Sequence, residues 1–215
     1  MIETTNKNNF EIVSLDQSMK RRVSTILTNS YANEPTFQCL LDSNKRGYQQ
    51  RVRSAIREMV NTHIKKGGVV LGVLDKPNDV ICGVALLSEN KTDLDIFGNM
   101  LWRLKMYLTS GYKVTHNVIN FQNRIRDFIP NDNYKIITLL GIDPHYRYQG
   151  LGAQLIQSIH NYCDNDSDCL GIYLDSSNPK YDKFYRNLGY DVFTTTRFLS
   201  LDESLYLRLN RPNLS

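Results

Sequence analysis

The chain predicts an α/β (α+β) domain: a mixed central sheet of about six or seven strands flanked by helices. Three observations carry this. Amphipathic helical segments fill most of the first 65 residues. Two apolar runs, 69–74 and 80–87, then flank the turn-forming Lys76-Pro77-Asn78-Asp79, as in a β-hairpin. From Tyr134 onward the pattern alternates strand, helix, strand, helix, and closes with two strand-like segments near 191–199 and 204–209.

The elements follow in order. Residues 1–9 are polar and expected to be loose. Phe10 to Leu15 alternates as a strand does, and Asp16 can cap a helix over 17–31 with Val23, Ile26 and Leu27 on one face. Glu34-Pro35 starts a short helical piece. A longer helix over 48–65 repeats Val52, Ala55, Ile56, Met59, Val60 and Ile64 at helical spacing, and Gly67-Gly68 ends it. Residues 93–130 read as mostly helical and divided at Gly111. There Ile96, Phe97, Met100, Leu101, Leu104 and Tyr107 form a stripe that reads as core or pocket wall, and Trp102 reads as packing before pocket lining. The last third brings a strand at 134–142, a helix at 153–162, a strand at 170–176 and a helix at 179–188.

Composition excludes several classes. At 215 residues, with 41% hydrophobic and 22% charged residues, the chain can bury a substantial core as a single domain over 1–215. A net charge of +4 suits a small anionic ligand but is too diffuse for a nucleic-acid surface, and the basic stretch 44–66 reads as the solvated face of a helix. No run is long enough to span a membrane and no signal-peptide core precedes Phe10, so a soluble cytoplasmic protein is expected. The four cysteines have no Cys-x-x-Cys pairing. Cys82 reads as a small core residue, and a Cys163–Cys169 disulfide is possible but not favoured. His63 and His160 read as structural or exposed, and no metal-ligand spacing is present.

The chemistry concentrates at Asp143-Pro144-His145-Tyr146-Arg147-Tyr148-Gln149-Gly150-Leu151-Gly152, on a strand-to-helix turn. Two glycines let backbone approach a ligand, the helix start offers unpaired N–H groups, and Arg147 adds a cation. On its own this turn says anion. Downstream stands Leu174-Asp175-Ser176-Ser177-Asn178-Pro179, then Tyr185 and Gly189-Tyr190.

With both blocks in this order, residues 134–192 resemble the GNAT acetyltransferase superfamily, whose signature Arg/Gln-x-x-Gly-x-Gly/Ala stands here as Arg147 to Gly152. The 89–133 helical insert and the Leu174-to-Pro179 string are similar to the small-molecule branch that includes puromycin N-acetyltransferase. The resemblance implies the GNAT fold and acetyl-CoA as cosubstrate. Arg147, Tyr148, Gln149, Gly150, Leu151, Gly152 and Ala153 would receive the pyrophosphate, and Leu140, Gly141 and Ile142 would pair with the pantetheine arm. An amide there would polarise the thioester carbonyl. Gly141 would mark a bulge or a close approach. Tyr185 matches the general acid toward the CoA sulfur. Asn178 matches a pantetheine contact, with an Asx turn before Pro179 as the competing explanation.

The base is less directly marked. The strand before the turn lacks the carboxylate that many relatives carry, so Asp175 is the first candidate, with Glu89, Asp93, His116 and His145 in reserve. The expected activity is acetyl transfer from acetyl-CoA to a primary amine of a small molecule, without metal, nucleic acid or membrane, by a monomer or homodimer. The alternatives are a protein or peptide N-acetyltransferase and a non-catalytic acetyl-CoA-binding regulatory module.

Overall fold

A computed structural model describes residues 9–89, 104, 106–108 and 110–210. The expectations for residues 1–8, Asp93, Ile96, Phe97, Met100, Leu101 and Trp102 lie outside the described residues. The strands are β1 (Phe10–Ser14), β2 (Val69–Asp75), β3 (Val80–Ser88), β4 (Tyr134–Ile142), β5 (Gly171–Ser176), β6 (Asp191–Phe198) and β7 (Leu201–Leu209). They form one seven-stranded sheet in the order β1-β2-β3-β4-β5-β7-β6. The β4–β5 pair is parallel and the other pairs are antiparallel.

The helices are α1 (Lys20–Tyr31), α2 (Pro35–Leu40), α3 (Tyr48–Lys65), α4 (Tyr112–Phe128), α5 (Leu151–Asp164) and α6 (Asp182–Asn187). Asp16 caps a 3-10 turn at Gln17–Met19 ahead of α1, accepting the Ser18 amide at 2.8 Å. Gly111, at φ +81, stands immediately before α4.

Two apolar cores sandwich the sheet. On one face α1, α3 and α4 bury Ile26, Leu27, Val52, Ile56 and Phe121 against Val84, Leu86, Ile136 and Leu139. On the other, α5 buries Leu155, Ile156 and Ile159 against Cys82, Ala85, Leu87 and Ile172. Each such side chain contributes about 1.5–3 kcal/mol by leaving water, so the helical faces read from the sequence are what fasten the helices to the sheet.

Several expectations need correction. Arg51, in the basic stretch, is buried and donates to the carbonyls of Leu41, Asp42, Lys45 and Arg46, so α3 is not a wholly solvated face. Of the two readings for His63 and His160, the structural one holds: both are buried. Leu104 and Tyr107 are exposed, Tyr107 stacking on Tyr112, so these two are not core. Cys163 and Cys169 are free thiols, both buried.

The feature that shapes the site is a parting of β4 from β5. They pair only through Tyr134–Gly171, Lys135–Ile172 and Ile136–Tyr173. Against β3, the register of β4 passes from Ile137–Leu87 to Leu139–Leu86, leaving Thr138 as an inserted residue. A bulge bends and twists its strand, and β4 leaves β5 at that point. The bulge is therefore at Thr138 and not at Gly141. Gly141 makes the close approach instead: a Cβ there would lie 2.5 Å from Ser30 Oγ of α1.

Candidate active site

A cavity of about 760 Å³ fills the wedge between the parted strands. One side is backbone. Beyond Ile136, β3 is the only strand paired with β4 among the described residues, so Leu140, Gly141 and Ile142 present an edge to the wedge. Tyr31 of α1 reaches this edge, and its hydroxyl accepts the Leu140 amide at 3.1 Å.

The edge leads into the glycine-rich turn. The Asp143 amide donates to the Cys82 carbonyl, and its carboxylate accepts the His145 amide and an ion pair from Arg22 at 3.2 Å. These contacts anchor the 3-10 turn at Pro144–Tyr146. The chain then takes positive φ at Tyr148 (+64) and at Gly150 (+77), with Arg147 extended between the turns. A left-handed aromatic residue costs energy that a packed core would not require. Alternating conformations of this kind turn successive amides toward one concavity, which suits an anion.

Gly150 precedes α5 without a side-chain cap, leaving the first amides of the helix without internal partners. Gly152 has room for a Cβ, 3.7 Å from Phe184 and 3.9 Å from Ile142, so the backbone requirement for glycine falls on Gly150. Arg147, Tyr148, Gly150, Leu151, Gly152 and Ala153 line the cavity. Gln149 is not among the lining residues, and the Leu151 side chain is buried, so Leu151 offers only its amide.

The other side is polar and closed. Tyr185, within α6, lies in the wall, its ring 5.2 Å from that of Tyr206. Burial holds its phenol well above the ordinary tyrosine range, and Tyr31, Tyr181, Glu34 and Asp175 add to the shift. Asp175 ends β5 and also lines the cavity. Beside it Glu203 of β7 is fully buried. Its Oε2 accepts the Thr36 hydroxyl at 3.0 Å, and Thr36 in turn lies 2.6 Å from Ser177 Oγ. Its Oε1 has no donor among the neighbouring side chains. Asp175 and Glu203 can hydrogen-bond only by holding a proton between them. Burial pushes both carboxyls above the usual range, Glu203 further, since the Asp175 charge adds to its shift.

Two carboxylates of this site, Glu34 and Glu203, went unread in the sequence. Glu34 precedes α2, lines the cavity, and accepts Asn178 Nδ2 at 3.3 Å. Burial raises its carboxyl, and the Asn178 amide counteracts in part. The Glu34-Pro35 step marked a helix start but carried no sign of a cavity. Glu203 sits on β7, which starts at Leu201, three residues before the expected 204. Asn178 makes the Asx turn, accepting the Lys180 amide at 3.2 Å, so its side chain is engaged by the turn and by Glu34.

The reserve bases fall elsewhere. Glu89 pairs with Lys135 and Tyr162, His116 bonds Asn120 on α4, and His145 is exposed; none lines the cavity. Among the described residues no group of three His, Cys, Asp or Glu side chains could hold a metal, and no helix is long and apolar enough to cross a membrane.

A mixed sheet whose one parallel pair parts over a glycine-rich turn at a helix start is the GNAT fold, as expected from the sequence. Residues 117–192 match the family model of the acetyltransferase (GNAT) domain. Among solved structures, a histone acetyltransferase HPA2 and related acetyltransferase from Corynebacterium glutamicum superposes with a TM-score of 0.69 at 15% identity, covering 96% of this chain and 99% of that one. A mosquito arylalkylamine N-acetyltransferase like 5b gives 0.65 at 15% identity, over 93% and 99%. The Drosophila melanogaster polyamine N acetyltransferase gives 0.54 at 13% identity, over 93% and 99%. At these identities the likeness is one of fold. No curated protein sequence matches the chain.

Proposed function

We propose that the protein is an acetyl-CoA-dependent N-acetyltransferase that transfers an acetyl group to a primary amine of a small molecule by direct attack on the thioester. One observation carries the reading: a single cavity joins an unpaired β4 edge, an anion-binding turn and buried proton-handling groups. Solved relatives of the same fold include enzymes named for arylalkylamines and polyamines, which supports a small amine as acceptor.

Acetyl-CoA supplies an activated acetyl group as a thioester. The amides of Tyr148 and of Gly150 to Ala153, with Arg147, hold its pyrophosphate, and the β4 edge aligns the pantetheine arm. The Leu140 amide is aimed into the wedge, where it can donate to the thioester carbonyl as charge develops there. Asp175, raised toward neutrality and steadied by protonated Glu203, takes the proton of the incoming ammonium. Glu34 balances the ammonium charge. Tyr185, kept protonated by burial, gives its proton to the thiolate as the C–S bond breaks, and its phenolate recovers the second proton that the nitrogen sheds on becoming an amide.

A protein or peptide acceptor fits less well, because α2 and α4 wall the acceptor side. A purely regulatory module would have no need of Tyr185 and two carboxyls with raised pKa in one cavity wall. The test has two parts: the thermal shift with saturating acetyl-CoA, and free-thiol release across a panel of amines. The absence of any shift sinks the cosubstrate assignment, and the absence of thiol release with every amine sinks catalysis.

A further inference from the structure

We infer that the acceptor is an amine with an uncharged apolar tail, and that the tail lies in a slot running from Glu34 into the core beneath α2, α3 and α4. The inference rests on the acetyl-transfer reading for which end of the ligand reacts.

The slot is visible in the burial of the core itself. Leu40, Ala55, Met59, Val118, Phe121 and Ile125 belong to one core cluster, yet each keeps 5–8% of its surface. All six line the cavity. Val52, Ile56 and Val60, on the same helix α3, keep none. The residual surface therefore faces an internal space. Interiors pack as densely as organic crystals, and each unfilled Å³ costs about 24 cal/mol. A space walled by leucine, methionine and aromatic groups does not hold water well. An apolar ligand group relieves both costs.

Charge marks the other end. The charged side chains of the wall among the described residues are Glu34, Arg147, Asp175, Lys180 and Glu203. They come from the start of α2, the glycine-rich turn and the ends of β5 and β7, while among the described residues α2, α3 and α4 line the cavity with only the uncharged Thr36 and Gln122 beside their apolar groups. Helix α2 joins the two regions. Glu34 stands at its beginning and Leu40 at its end, six residues or about 9 Å apart along the axis. An ammonium held at Glu34 and Asp175 places its substituent along α2 toward Leu40 and Met59. A second ammonium at the far end would be buried without a partner, which costs several kcal/mol.

The experiment measures kcat/KM for propylamine through hexylamine and for 1,6-diaminohexane with acetyl-CoA. The expected result is a rise of about four-fold per methylene, the gain from burying one CH₂, with the diamine at least about ten-fold below hexylamine. In Ala55→Leu, which fills the slot, the hexylamine-to-propylamine ratio collapses; the acetyl-CoA thermal shift shows that the variant is folded. A flat series, or a diamine equal to hexylamine, overturns the slot and leaves acetyl transfer standing. A parallel series of acyl-CoA chain lengths with propylamine addresses the other source of an apolar chain: acceleration there, without dependence on amine length, assigns the slot to the acyl group and overturns the inference. If no amine is turned over, calorimetry of the same amines in the presence of CoA decides the slot. Hexylamine binding tighter than propylamine and the diamine supports it, equal or absent binding overturns it, and the transfer reading fails separately.

Discussion

Tyr31 Oη accepts the amide hydrogen of Leu140 at 3.1 Å, across the gap that opens where β4 leaves β5. It is the hydrogen bond a neighbouring strand would otherwise provide, made here by a side chain from α1. The phenol is buried and held above its ordinary range, so it stays protonated. It thus marks which β4 amide faces the wedge and keeps that amide satisfied without ligand.

Removing the hydroxyl gives the first prediction. Tyr31→Phe leaves the Leu140 amide without an acceptor and costs about 1–2 kcal/mol of stability in the free protein. An acetyl carbonyl seated on that amide restores a partner. Acetyl-CoA should therefore raise the melting temperature more than CoA does, and this difference should be larger in Tyr31→Phe than in the parent. An unchanged difference places the carbonyl elsewhere.

The proton-transfer roles separate in steady-state kinetics. Tyr185→Phe should lower kcat by about 10²-fold or more, with little change in KM, since the phenol acts on the leaving group. Asp175→Asn should lower kcat similarly. Glu34→Gln should mainly raise KM, because it removes the charge that holds the ammonium. A reversal of the last two results makes Glu34 the base.

The same assignment has a pH signature. A base must be ionised, so kcat/KM rises with pH through the pKa of Asp175. Burial raises that pKa, and the hydrogen bond with Glu203 opposes the shift only in part, so the acidic limb should lie above the ordinary carboxylate range. It should vanish in Asp175→Asn. A limb that survives in this variant belongs to another group.

Local signals made much of the fold legible, together with the turn of the candidate site. Arg147 and Gly150 could be read because a backbone need and an anion's needs coincide in one short segment, whereas Gly152 completes the motif without a backbone requirement. Tyr185 and Asp175 become candidates only through the family resemblance of the downstream block, not through a local signal of their own. Glu34 and Glu203 could not be read this way, being 169 residues apart in sequence and brought to one cavity by the fold, where Asn178 holds the first and Thr36 the second. The bulge at Thr138 was hidden for a related reason: register depends on both strands, and β4 alone pointed to Gly141. Leu104 and Tyr107 show that helical spacing does not decide which face is covered.

The two glycines of the turn should respond differently. Gly150→Ala must adopt φ near +77 and should cost about 1–2 kcal/mol, with a matching loss of acetyl-CoA affinity as the turn relaxes. Gly152→Ala meets only ordinary contacts and should keep both fold and binding. Equal losses in the two variants, read by melting temperature and calorimetry, contradict this division of roles.

His160 ties stability to pH. Its ring is buried on α5, 3.1 Å from Tyr190 Oη. Burial, with the Arg208 cation second, lowers its pKa to about 4, and Asp164 opposes the shift only in part. The unfolded chain takes up this proton near pH 6.5, before the folded protein does. The neutral ring's contribution is therefore complete above about pH 6.5 and is lost as pH falls toward 4, up to about 3 kcal/mol in all. Asp175 and Glu203, with raised pKa values, act in the opposite sense, favouring the fold as pH falls. The total stability profile therefore mixes both. The difference between the parent and His160→Gln isolates the histidine, because the carboxyls are common to both. In urea unfolding, the parent's advantage over His160→Gln should shrink steadily from pH 7 to pH 4. A constant difference across that range means that His160 is not held neutral in the folded protein.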